Sequence, residues 1–122
     1  MTGIGIDLCG VERFLKLKND NHFLERIFTQ NEIAYCSKKR RAEECFAARF
    51  AAKEAFMKAI GTGLAGKISF KDIEVCKDDS GAPYLELYNG SKEALNNTGC
   101  SKVHLSISHE RNMAAAVVII EK

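Results

Sequence analysis

The chain has 122 residues, 46% of them hydrophobic, a formal net charge of +2 and five cysteines. That length suits one domain, 1–122, with enough apolar material for a core without metal or disulfide staples. The weak positive charge argues against a dedicated nucleic-acid-binding protein. The scattered cysteines, with no CxxC or Cys/His cluster, argue against zinc, and the absence of a signal peptide or apolar span points to reduced thiols in a cytoplasmic protein.

GIGIDLCG opens the chain with β-branched apolar residues between glycines and reads as a short buried strand carrying Asp7 near its far end. VERFLKLKND follows as a short amphipathic helix with a basic face through Arg13, Lys16 and Lys18. HFLERIF, with Arg26, and TQNEIAYCSKKRRAEE read as further short helices, the second entered by a Thr29–Glu32 capping box. The basic run Lys38–Arg41 is equally consistent with a solvated loop and with a contact to phosphate or an acidic partner.

FAARFAAKEAFMKAIGTG, from Phe46 to Gly63, is a long run of strong helix formers that closes on two glycines. Only Arg49, Lys53, Glu54 and Lys58 interrupt its small and apolar residues. Much of this helix should be buried and its charges need partners. Ile68, Phe70, Ile73 and Val75 then alternate with polar positions, turn at Asp78 to Gly81 and resume at Tyr84, a hairpin whose returning strand is opened by Pro83. A short helix over residues 89–97 precedes two strands that break at Glu110 to Asn112. The last, Met113 to Ile120, is apolar throughout, so both its faces should be covered, and a small domain covering two faces points to a partner subunit.

Asp7 at a strand end is most often a cap, but Glu54 within a buried helix needs a partner or a metal. Two such carboxylates are a suitable supply for Mg²⁺, which takes one or two of them and fills its shell with water and phosphate oxygens. Lys58 stands one turn after Glu54, either as an ordinary i,i+4 ion pair or as a cation beside a metal-bound phosphate. Arg49 lies roughly 140° around the axis from Glu54 and serves a different part of a ligand, or a neighbouring subunit's site. Gly61 and Gly63 cap the helix or let the backbone approach a phosphate. His109, at the end of SISH, is structural or a phosphate and proton-transfer residue. No nucleophile motif accompanies it.

Together, GIGIDLCGVERF, FAARFAAKEAFMKAIGTG and SISHE resemble the holo-acyl-carrier-protein synthases, the small bacterial 4′-phosphopantetheinyl transferases, over essentially the whole chain. The GAP turn ending at Pro83 belongs to the resemblance. It implies an α+β fold, a small antiparallel sheet packed with a long central helix and short helices, assembling as a homotrimer with sites between subunits. It implies transfer of the 4′-phosphopantetheine of coenzyme A to a serine of acyl carrier protein for fatty acid biosynthesis, with release of adenosine 3′,5′-bisphosphate. Asp7 and Glu54 would hold Mg²⁺ (or Mn²⁺). Lys58 and His109 would meet the coenzyme A phosphates and act in catalysis, with Arg49, Gly61, Gly63 and Pro83 also on the coenzyme A side. Arg13 and Arg26 would meet the acidic carrier. Some members carry an acidic residue where this chain has Ile33, which leaves Glu54, His109 or a metal-held water as candidate base.

Overall fold

The computed structural model of the chain describes residues 2–61 and 68–122. Strand β1 (Gly3–Gly10), a 3-10 turn and the one-turn helix α1 (Phe14–Leu17) lead into α2 (Asn21–Ile27) and α3 (Gln30–Ser37). The long helix α4 (Ala42–Ile60) follows, then β2 (Ile73–Lys77), β3 (Pro83–Leu87), α5 (Asn89–Asn97), β4 (Lys102–His109) and β5 (Met113–Glu121). The strands form an antiparallel sheet in the order β1-β5-β4 and a hairpin β2-β3 whose second strand lies against β4. This is the expected α+β arrangement around a central helix.

Helix α4 packs across one face of the large sheet and is held there by small residues. Ala47, Ala51, Ala52 and Ala55 are fully buried. The match on β1 is glycine: a Cβ on Gly5 would collide with the Ala55 carbonyl, and one on Gly3 with that of Ala59. Close strand–helix approach therefore needs both partners to be small. At the other end Phe14, Phe28 and Phe46 are fully buried with ring centroids 5.0–6.4 Å apart, pinning the short helices onto α4. Removing any one ring should cost about 3–5 kcal/mol.

Helix α4 ends as its glycine predicts, with Gly61 in the left-handed conformation at φ 88°. It starts four residues earlier than propensity alone suggests. Glu43 and Glu44 fall in its first turn, where carboxylates favour the helix dipole. They extend α4 backwards and leave α3 to stop at Ser37. The Thr29–Glu32 capping box is present. Glu32 does more than cap. It is 1% exposed, accepts from the Val75 N–H at 2.8 Å and from Lys53 Nζ at 2.8 Å. Lys53, fully buried, also donates to the Phe70 and Ile73 carbonyls. Those bonds hold Phe70–Asp72 as a 3-10 turn capped by Ser69, so the hairpin strand begins at Ile73 and not at Ile68.

One further expectation needs correction. The thiols are not all reduced: α3 and α4 meet at a corner that brings Cys36 and Cys45 into a disulfide, with Cα atoms 5.4 Å apart. Cys9 and Cys76 remain thiols. The last strand is not covered on both faces within one chain. Ala114, Ala116, Val118 and Ile120 are buried under α4, whereas Ile119 is 37% exposed. Its neighbours in register on that outer face are Ile4, Ile6 and Leu8 of β1, 59–69% exposed.

Candidate active site

Asp7 projects from the face of β1 that packs on α4, the same face as Gly3 and Gly5. Lys58 Nζ reaches across and donates to Asp7 Oδ1 at 2.9 Å and to the Ile6 carbonyl at 3.1 Å. The Asp7 hydrogen bond raises the Lys58 pKa. Glu54, one turn back on the same helix face, has its carboxyl pushed above the ordinary value by burial and then by the Asp7 charge, with Lys58 and Arg13 opposing. Arg13 belongs to this group too. Its guanidinium lies 5.1 Å from the centre of the Phe50 ring, and Nη1 is 4.0 Å from Cys9 Sγ. Asp7, Glu54 and Lys58 thus meet at one place, with Asp7 close enough to add to the cost of ionising Glu54.

The described residues contain no cluster of three or more His, Cys, Asp or Glu suited to a metal. A pair of carboxylates still fits Mg²⁺, which completes its octahedron with water and ligand oxygens. A divalent cation held by Asp7 and Glu54 would offset the part of the Glu54 shift that the Asp7 charge adds to that of burial.

Arg49, Pro83 and His109 are elsewhere. They line a cleft of about 540 Å³ on the other side of α4, together with Lys39, Arg40, Arg41 and Lys77. Arg49 is 6% exposed and donates to Cys45 Sγ at 3.1 Å, while its buried Nε has no hydrogen-bond partner among the described residues. Burial pushes its pKa down. Glu44 is the carboxylate of this cleft among the described residues, and it is spoken for. His109 Nδ1 lies 2.9 Å from Oε1, and Arg41 Nη1 donates to Oε2 at 3.0 Å. The His109 hydrogen bond, then that of Arg41, holds the Glu44 carboxyl below its ordinary value.

Gly61 is exposed at the end of α4, and Gly63 lies outside the described residues. Arg26 is exposed on the last turn of α2 and is not part of the cleft lining. Sequence reasoning missed Glu44, Tyr35 and Lys77 as cleft residues, and nothing local marks them. It also left Lys53 without its buried partner Glu32, although a lysine in an alanine-rich helix signals the need for one. The basic run Lys38–Arg41 resolves partly: Lys39, Arg40 and Arg41 line the cleft.

The chain belongs to the 4′-phosphopantetheinyl transferase superfamily, whose family model matches residues 3–118. Within it, the chain is an enzyme of the holo-[acyl-carrier-protein] synthase type. It is 52% identical over 122 residues to the holo-[acyl-carrier-protein] synthase of Treponema denticola, covering 99% of this chain and 98% of that one. Among solved structures, that of the Neisseria meningitidis synthase superposes with a TM-score of 0.88 at 37% identity, covering 98% of each chain. The Helicobacter pylori synthase in complex with coenzyme A superposes at 0.81 and 36% identity, covering 97% of this chain and 99% of that one.

Proposed function

We propose that this chain transfers the 4′-phosphopantetheine arm of coenzyme A to a serine hydroxyl of apo acyl carrier protein, in the cytoplasm and in support of fatty acid biosynthesis. The serine hydroxyl gives its proton to a base, for which Glu54, His109 or a metal-held water are the candidates, and its oxygen forms a bond to the pantetheine-side phosphorus of the pyrophosphate. The bond from that phosphorus to the bridging oxygen breaks, and adenosine 3′,5′-bisphosphate leaves. The observation that carries the reading is the arrangement on α4. A carboxylate pair with a lysine stands on one face, and a cationic cleft large enough for a nucleotide stands on the other.

Asp7 and Glu54 would hold Mg²⁺ (or Mn²⁺), which when bound neutralises charge on the pyrophosphate. With a metal on that carboxylate, Lys58, which now donates to Asp7, would be free to meet a phosphate oxygen. Arg49 and His109 hold coenzyme A at its adenosine end, with Pro83 shaping the cleft wall and Gly61 at the end of α4 on the coenzyme A side. Arg13, at the rim of the carboxylate site, and Arg26 on α2 meet the acidic carrier and orient it. Glu32 is excluded as the base that takes the serine proton, because Lys53, the Thr29 N–H and the Val75 N–H already engage it.

The two half-sites point to different ends of one extended ligand, and the apolar outer face of Ile4, Ile6, Leu8 and Ile119 calls for burial. Both needs are met by a homotrimer, in which the carboxylates of one subunit work with the cleft of the next. The experiment is to incubate the protein with coenzyme A, Mg²⁺ and apo acyl carrier protein and to weigh the carrier. A gain of one phosphopantetheine is expected; an unmodified carrier defeats the reading.

A further inference from the structure

We infer that Tyr35 is a positioning residue of the cationic cleft, gathering Arg49, Lys39 and Lys77 so that their charges converge on a phosphate group lodged there. The inference rests on the transferase reading for the ligand, whose terminal phosphate is the 3′-phosphate of coenzyme A.

The three cations come from separate elements: Lys39 from the connection between α3 and α4, Arg49 from α4 and Lys77 from β2. All three close on one ring, at 4.5 Å for Arg49, 4.5 Å for Lys39 and 5.3 Å for Lys77. Like charges drawn together need a reason to stay, and an aromatic face attracts each of them. The cleft carboxylate, Glu44, does not supply that reason, because Arg41 and His109 occupy both of its oxygens. The buried Arg49 Nε adds an unused donor in the same wall. Excess cations and a spare donor around a held centre suit an anion with several acceptor oxygens, which is a phosphate.

The phenol adds a pH dependence. Hydrogen bonding to Lys77 and Lys39, against the effect of burial, lowers its pKa to about 8. Above that pH the phenolate neutralises the same lysines and competes with the incoming phosphate.

The test is steady-state transfer by wild type, Tyr35→Phe and Tyr35→Leu with coenzyme A and with dephospho-coenzyme A. It is joined by calorimetric titration with adenosine 3′,5′-bisphosphate. Loss of the ring in Tyr35→Leu should raise KM for coenzyme A about tenfold with kcat unchanged, while KM for dephospho-coenzyme A stays within about twofold. Tyr35→Phe keeps the ring, so it should hold most of the affinity near neutral pH and lose the rise in KM that wild type shows above about pH 8. Equal losses for both substrates, or no loss in Tyr35→Leu, would overturn the inference. If the wild type transfers nothing, the transferase reading falls, and bisphosphate affinity in Tyr35→Leu against wild type still decides the role of Tyr35.

Discussion

The two sides of α4 carry opposite burial problems. On the side facing β1, Asp7 and Glu54 stand close together, with Lys58 bonded to Asp7 and Glu54 held above its ordinary pKa by burial and by its neighbour. On the other side the surplus is positive: Arg49, Lys39 and Lys77 crowd one tyrosine, and the cleft carboxylate is committed to Arg41 and His109. One face is short of a cation and the other of an anion. In the proposed reading, a metal-bound pyrophosphate with a distal phosphate would supply both. Contrast this with Lys53 and Glu32, which are more deeply buried and satisfy each other within the chain. That pair asks for no ligand. A buried charge becomes a functional clue only after its partners have been counted.

The sharpest way to break the contrast is to empty the carboxylate side. Asp7→Ala and Glu54→Ala should each lower transfer by about a thousandfold or more, by loss of the proposed charge-stabilising metal. Full activity of either variant at limiting Mg²⁺ would show that the ligand assignment is wrong. Next in size is the proposed joint between subunits. Ile6→Lys, on the exposed outer face, should turn the proposed trimer into monomers in sedimentation velocity and reduce transfer at least about a hundredfold, since a desolvated lysine is costly at an apolar seam. A monomeric variant with full activity would put both half-sites in one subunit and end the split-site reading.

A smaller effect is expected from pH. Glu44 has a folded pKa below its ordinary 4.5, so its stabilising contribution is present above 4.5 and is lost as pH falls through the lower folded value. The melting temperature should therefore drop by a few degrees over that acid window, and Glu44→Gln should flatten this part of the profile. A profile unchanged by the substitution would mean that the His109 and Arg41 contacts contribute no stability. Smallest of all, Arg13→Ala should raise the carrier KM about three- to tenfold and leave coenzyme A binding unchanged. An unaltered carrier KM would remove Arg13 from the docking surface and leave it as a neighbour of Glu54.

The legible part of the site lay where residue type and spacing constrain each other. Glu54 and Lys58 are four residues apart in a run of strong helix formers, so helix periodicity alone puts them on one face and turns Arg49 away. Gly61 as a helix stop and Thr29 with Glu32 as a capping box are equally local, and the structure shows both. The errors arose where local propensity yields to contacts far along the chain. Ile68 and Phe70 alternate like a strand, but Lys53 takes backbone carbonyls there and bends the segment into a turn. The apolar pattern of β5 does not say which of its faces the chain's own helix covers; only the α4-facing side is buried.

What the amino-acid sequence determined by itself was the helix, its caps, the strands and the family motifs, because these depend on intervals of two to four residues. What only the tertiary structure decided was which charges meet. That Asp7 reaches Lys58, that Glu32 is used up by Lys53, that Cys36 finds Cys45, and that Lys39, Arg49 and Lys77 converge on Tyr35 all depend on how separate elements pack. Separation along the chain carries no distance across it, and electrostatics acts on distance.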